Sequence, residues 1–432
     1  MELARISRRR LLKGVPSVLL LGVTQKSRAA PRPKIAAVVT EYRKWSHPQH
    51  IIDRFLDGYG WESRHHRPPM DLVSLYVDQV KENDLSPERA RRFPSMKIYP
   101  TIAEALTLDR NQLAVDGVLL IGEQGNYPKN EKGQTLYPRY EFFKQIVEVF
   151  RSSRRCVPVF NHKHLSWKWE WAKEMVETSK EMSFPFMAGS FVPVAWRLPS
   201  IEMPLGAEIE EAMCIGVGGV DDDDFDAFEA LQCMVERRKE GETGVVAVEA
   251  LRGEQVWEAL RGSSREKGRW DMKLFEACLC RSHTLTPARQ GFNHIYPTLD
   301  EIPPLVKDPV AYCYEHADGL RATVLLLGGL VKSVHFAARL KGRRELVSTM
   351  FFLPGRGVDN GGTEAPFFNP LVNNIEKMFL TGKATYPVER TLLTTGLVAA
   401  GVESLHRGQK RLDTPHLSVR YQPVKESHFW RT

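Results

Sequence analysis

The sequence predicts two architectures in tandem. The first is an α/β domain on a doubly wound parallel sheet, and the second an α+β domain on a mixed, largely antiparallel sheet with helices. Three observations predict this. In the first half, short continuous apolar runs alternate with segments of helical period, as parallel strands buried on both faces require. After about residue 184, strand candidates follow one another across tight turns. Two helical stretches, near 367–381 and 388–407, then close the chain.

A strand at 35–39 opens the first half. Ser46 then caps a helix whose apolar residues are Ile51, Ile52, Phe55, Leu56 and Tyr59. Residues 72–77 make a second strand. Thr101-Ile102-Ala103-Glu104 is a capping box opening another helix, and 117–121 is a buried strand after it. Phe142, Phe143, Ile146, Val147 and Phe150 form the next helical face, ahead of a strand at 157–160. Apolar strands joined through helices imply right-handed crossovers within one parallel sheet. In the second half, strands are expected at 208–217, 245–251, 310–316, 320–327, 334–340 and 345–352. Hairpin turns are expected at Ala317-Asp318-Gly319 and Lys341-Gly342. The domains divide as 34–165 and 166–432.

With 42% apolar and 26% charged residues, the 432-residue chain suits a globular enzyme and not a disordered, fibrous or multi-span membrane protein. Its formal charge of +7 sits almost wholly in residues 1–30, which hold seven basic groups and one acid. The rest carries 53 basic and 52 acidic side chains, so nothing argues for nucleic acid. That leader runs from Ser7-Arg8-Arg9-Arg10 through the apolar stretch 15–23 to the small residues around Ala29-Ala30-Pro31. It reads as a signal peptide, too short to span a bilayer, with the paired arginines of twin-arginine export to the periplasm or beyond. The six cysteines include no CxxC pair and are read as small hydrophobes. Homo-oligomerisation is left open.

Ligands of a doubly wound sheet bind at the carboxyl ends of its strands, so the loops after each strand carry the candidates. The first, Thr40-Glu41-Tyr42-Arg43-Lys44-Trp45-Ser46, has no glycine. An anion there would rest on the helix N-terminus, with Arg43 or Lys44 supplying charge. Asp78, ending the second strand, is placed to accept from a ribose diol, or else to serve as a turn residue. Gly122-Glu123-Gln124-Gly125-Asn126 suits a loop over a cofactor or sugar. His162 and His164 share one side of an extended segment, but an i,i+2 pair is no metal centre by itself, and no metal is assigned.

The segment Val157-Pro158-Val159-Phe160-Asn161-His162-Lys163-His164 resembles the Gfo/Idh/MocA oxidoreductases, where a strand ending in Glu-Lys-Pro presents a catalytic lysine. The resemblance extends over most of 34–407. It takes in Ser46-His47, Tyr99-Pro100-Thr101, Val115-Asp116-Gly117-Val118, Phe186-Met187-Ala188-Gly189 and the helix around 226–238. It implies a Rossmann-like dinucleotide-binding domain followed by a substrate domain, with NAD or NADP held over Thr40, Arg43, Ser46 and Asp78, beside Glu123 and Asn126. It puts Lys163 at the reacting hydroxyl, Asp226 where the family's proton-transfer histidine stands, and Glu229 at the acid three residues on. The activity implied is exported oxidation or reduction of a carbohydrate or polyol, including redox-assisted glycoside cleavage. The missing glycines sustain a second reading, a non-redox carbohydrate-binding protein with an eroded dinucleotide site.

Overall fold

The computed structural model describes residues 31–262, 269–282, 285, 292, 294–353 and 365–431. The expected signal segment, 1–30, lies outside the described residues. Both sheets belong to one compact unit that begins at Pro33.

The first half alternates as its apolar pattern requires. β1 (Lys34–Val39) leads into α1 (His47–Asp57), and a small hairpin follows, β2 (Tyr59–Trp61) and β3 (Arg64–His66). Then come β4 (Asp71–Val77), α2 (Ser86–Arg92), β5 (Lys97–Ile98), α3 (Ile102–Thr107), β6 (Gly117–Ile121) and α4 (Arg139–Ser153). β7 (Val159–His162), α5 (Trp169–Glu181) and β8 (Phe186–Gly189) complete it. Ser46 and Thr101 cap α1 and α3 as expected. Tyr59 belongs to β2 instead of the first helix, which stops at Gly58 with φ +84°.

Six strands form one parallel sheet in the order β5-β4-β1-β6-β7-β8. β8 lies beyond the division drawn at residue 165, yet it is an edge strand of this sheet. The order turns back at β1, so the crevice belongs above β1 and its neighbours. Val39 is level with Val77 on one side and Ile121 on the other. Thr40, Asp78 and Gly122 therefore leave the sheet together.

The second half contains β9 (Trp196–Leu198), β10 (Ile209–Gly216), α6 (Asp224–Val235), β11 (Val245–Arg252), α7 (Glu254–Arg261) and α8 (Met272–Leu279). β12 (Val310–His316), β13 (Arg321–Leu326), β14 (Val334–Leu340), β15 (Val347–Phe352), α9 (Asn369–Thr381), α10 (Val388–His406) and β16 (Leu412–Asp413) follow. The eight strands order as β16-β11-β12-β13-β10-β14-β15-β9. Both expected hairpins form. β10 slots between β13 and β14, parallel to the first and antiparallel to the second.

α6 packs against β10 and α10 and is buried along its whole length. Its polar residues therefore lie inside the protein and need partners there. The described cysteines are all unpaired, and Cys214, Cys233 and Cys278 pack as core residues, as expected. Among the described residues, no helix is long and apolar enough to cross a membrane.

Candidate functional site

Four chain segments converge between the two sheets: the loops after β1, β6 and β7, and the turn entering α6. Three of them, the loops after β1 and β6 and the turn entering α6, border a cleft of about 920 Å3 whose lining includes His47, Glu123, Gln124, Tyr137, Asp221 and Asp222. Each segment holds one non-glycine residue in the left-handed region: Trp45 (φ 63°), Gln124 (70°), Lys163 (64°) and Asp221 (62°). Such residues cost about 1–3 kcal/mol each and persist where the surroundings over-determine them, commonly at functional sites.

Glu123, with only Gly122 between it and β6, pairs with Arg139 at the start of α4, both buried. The Arg139 side chain passes close over Gly122, where a Cβ would come within 2.7 Å of Cγ. Burial pushes the Glu123 carboxyl up, but Arg139 and Lys163 outweigh it and hold it below the ordinary range. Glu123 is thus a permanent acceptor in the cleft wall. Thr40 fixes this turn by donating its hydroxyl to the Glu123 carbonyl at 2.8 Å.

Lys163 does not face open solvent, as a crevice lysine would. It is 1% exposed and closed over by the turn entering α6. Its ammonium lies 3.2 Å from Asp226 and 3.7 Å from Asp223, and donates to the Asp222 carbonyl at 3.3 Å. Its backbone N–H donates to Gly189 at 3.0 Å, anchoring the left-handed turn to β8. Burial pushes this ammonium's pKa down, and Asp226 with Asp223 more than reverses the effect. The fold thus brings Lys163 and Asp226 together. Glu229 does not join them. It accepts from Ser190 N at 2.7 Å and the Thr391 hydroxyl at 3.0 Å, against Gly189, and does not line the cleft. Burial raises its pKa to about 7.

His47, the first residue of α1, lines the cleft with its Nδ1 2.9 Å from Nε2 of buried His162. His164 lies 3.8 Å from Asp221 and stacks on Phe225. Among the described residues, no group of three or more His, Cys, Asp or Glu is arranged to hold a metal ion. Sequence reading passed over His47, Tyr137 and Arg139 as site residues. His47 was findable, since it opens a helix at a strand-following loop. Arg139 carries no local signal, because only the fold sets it beside Glu123.

Above β1, the residues expected to hold a dinucleotide are engaged with one another. Ser46 Oγ accepts from Gln49 N, Gln124 Oε1 accepts from His47 N at 3.1 Å, and Pro48 has no N–H. The α1 N-terminus is therefore capped by its own surroundings. Arg43 pairs with buried Glu41 at 2.6 Å, and Lys81 takes the other Glu41 oxygen at 2.8 Å. Asp78 accepts from Tyr76 at 2.9 Å and from Tyr127 at 2.7 Å. Gln79 exchanges hydrogen bonds with the Asn126 backbone at 2.8 and 3.1 Å. The loops after β4 and β6 are thereby tied together across the end of β1.

No family model matches the sequence, and no curated protein matches it. Solved structures do share its fold. GenD2 from gentamicin A biosynthesis, in complex with NAD, superposes with a TM-score of 0.54 at 12% identity, covering 88% of this chain and 96% of that one. Myo-inositol 2-dehydrogenase from Lactobacillus plantarum gives 0.52 at 11%, covering 89% and 99%. Myo-inositol dehydrogenase from Lactobacillus casei, in complex with NAD(H) and myo-inositol, gives 0.51 at 12%, covering 89% and 97%. The chain thus has the two-domain fold of Gfo/Idh/MocA-type dehydrogenases. That fold implies a dinucleotide over β1. The residues present do not fit one, because the helix donors, the Asp78 carboxylate and the Arg43 charge all have protein partners.

Proposed function

We propose that this chain recognises a neutral carbohydrate or polyol in the cleft between its sheets and holds no dinucleotide in the crevice above β1. The observation that carries this reading is the bridge across that crevice, Tyr127 to Asp78 and Asn126 to Gln79. A pyrophosphate needs unfilled backbone donors at a helix N-terminus, and α1 offers none at Gln49 or His47. The cleft supports the ligand class. Its wall sets the Glu123 and Asp222 carboxylates beside the Gln124 amide, the Tyr137 phenol and the His47 imidazole, a mixture suited to hydroxyl groups. Neighbours of this fold act on inositols, which is consistent with it. Export by the twin-arginine route is part of the proposal on separate grounds, the paired arginines Arg8 and Arg9 ahead of the apolar stretch 15–23.

Equilibrium dialysis of the purified protein against NAD and NADP tests the reading, alongside calorimetry with inositols and hexoses. The expected result is no dinucleotide retained at millimolar concentration and measurable heat with at least one polyol. One observation favours the alternative, an NAD(P)-dependent oxidoreductase: Lys163 and Asp226, to which the sequence resemblance assigns proton handling, pair at 3.2 Å. Saturable dinucleotide binding with reduction of the cofactor by a polyol would establish that alternative.

A further inference from the structure

The geometry points to His47 as a neutral N–H donor aimed into the cleft, its tautomer set by His162, reading one oxygen of a polyol hydroxyl pair whose other member donates to Glu123. This rests on the reading of the cleft as a polyol site.

A neutral imidazole carries one proton on two nitrogens, so the 2.9 Å contact between His162 Nε2 and His47 Nδ1 has two solutions. If His47 Nδ1 carried the proton, His162 Nε2 would accept it and Nδ1 of His162 would bear the N–H. That Nδ1 is buried with no hydrogen-bond partner among the described residues. The rings beside His162 are those of Phe160, Phe368 and His47. A buried N–H without an acceptor is rarer than an under-used acceptor. The favoured solution is therefore His162 donating through Nε2 and keeping a bare Nδ1. His47 then accepts at Nδ1 and bears its own proton on Nε2, the nitrogen left for the cleft.

The ring is held in that pose from several sides. It meets His162 edge to face at 81° and 4.8 Å, and Phe368 at 5.7 Å, while Gln124 fixes its backbone N–H. Desolvation holds the imidazole down at about 3. Glu123 and Asp223 oppose this, and Lys163 and His50 reinforce it. The ring accordingly stays neutral and offers a dipole instead of a charge. Glu123, kept ionised beside Arg139, is the complementary acceptor in the same wall. A donor and an acceptor of this kind suit two adjacent hydroxyls and disfavour a phosphorylated sugar, whose charge Glu123 would repel.

Long-range 1H–15N correlation spectra of the full chain, labelled with 15N-histidine, read the tautomers directly. His47→Gln and His162→Phe assign the signals. The expected result is His47 protonated at Nε2, becoming a tautomer mixture in His162→Phe. An Nδ1–H tautomer, or a protonated ring at pH 6, overturns the inference whether or not any ligand binds. Calorimetry with myo-inositol, scyllo-inositol and glucose gives the second readout. His47→Phe should weaken the best of them by about 3- to 10-fold, as loss of one neutral hydrogen bond does. His47→Gln, which restores an N–H, should lie between Phe and wild type. No heat with wild type counts against the polyol reading, whereas equal affinity in wild type and His47→Phe counts against the role of His47.

Discussion

Replacing Lys163 with Met keeps the apolar stem and removes the ammonium that faces Asp226 at 3.2 Å. At an effective dielectric near 20, that separation corresponds to an attraction of about 5 kcal/mol. The whole of it need not be lost, because the Asp226 carboxyl, its charge no longer balanced by Lys163, can take up a proton. An ordinary aspartic acid titrates near 3.9, so protonating Asp226 costs about 4 kcal/mol at pH 7 and about 1.5 kcal/mol at pH 5. Asp223 adds little, its side chain being 30% exposed and screened. The expected destabilisation is therefore about 3–4 kcal/mol at pH 7, shrinking by about 1.4 kcal/mol for each pH unit downward. The sign follows from linkage: the variant's buried Asp226 holds its proton more tightly when folded than when unfolded, so stability rises as pH falls toward 4. Urea unfolding of wild type, Lys163→Met, Asp226→Asn and the double variant, at pH 5, 6 and 7, closes the cycle. The double variant should recover most of the loss at pH 7. A loss below about 1 kcal/mol, unchanged between pH 5 and 7, would refute the reasoning and show that the Lys163–Asp226 pair does not stabilise the fold.

Three further outcomes are expected. Gly122→Ala puts a methyl 2.7 Å from Arg139 Cγ and should displace the guanidinium from Glu123, lowering stability by about 1–3 kcal/mol; an unchanged melting temperature would show that Arg139 yields freely. Burial raises the Glu229 carboxyl to about 7, so the folded protein keeps a proton that the unfolded chain releases above about 4.5, and wild-type stability falls as pH rises between those values. Glu229→Gln can still accept from Ser190 N and donate to the Thr391 hydroxyl, so it should be more stable than wild type at pH 8 by about 1–3 kcal/mol and no better at pH 5; a constant difference across that range would contradict the assignment. Arg8→Lys with Arg9→Lys should leave precursor in the cytoplasm, and normal export of that pair would rule out the twin-arginine route.

Much of the fold was legible because its signals are local. Continuous apolar runs such as 117–121, the caps at Ser46 and Thr101, and the turn at Ala317-Asp318-Gly319 each encode an element within a few residues. Strand order is a different matter. That β10 enters between β13 and β14, or that β8 still belongs to the parallel sheet, depends on pairings across long stretches of chain. α6 shows why polar residues misled. A helix buried on every side has no amphipathic period, so the sequence does not say that Asp226 meets Lys163 while Glu229, three residues on, braces Gly189.

By itself the sequence determined that a doubly wound sheet precedes a mixed one, that no glycine-rich phosphate loop follows β1, and that Lys163 lies between a strand of the first sheet and the helix after it. Only the tertiary structure decided what fills the place of the missing loop. Tyr127, Asn126 and Gln124 come from beyond β6 and close on Asp78, Gln79 and His47, groups far from them along the chain. The same holds for Arg139 on Glu123 and His162 on His47. Hydrogen-bond donors and charges are satisfied by whatever the fold brings within about 3 Å, and that distance is not written in the spacing of residues along a chain.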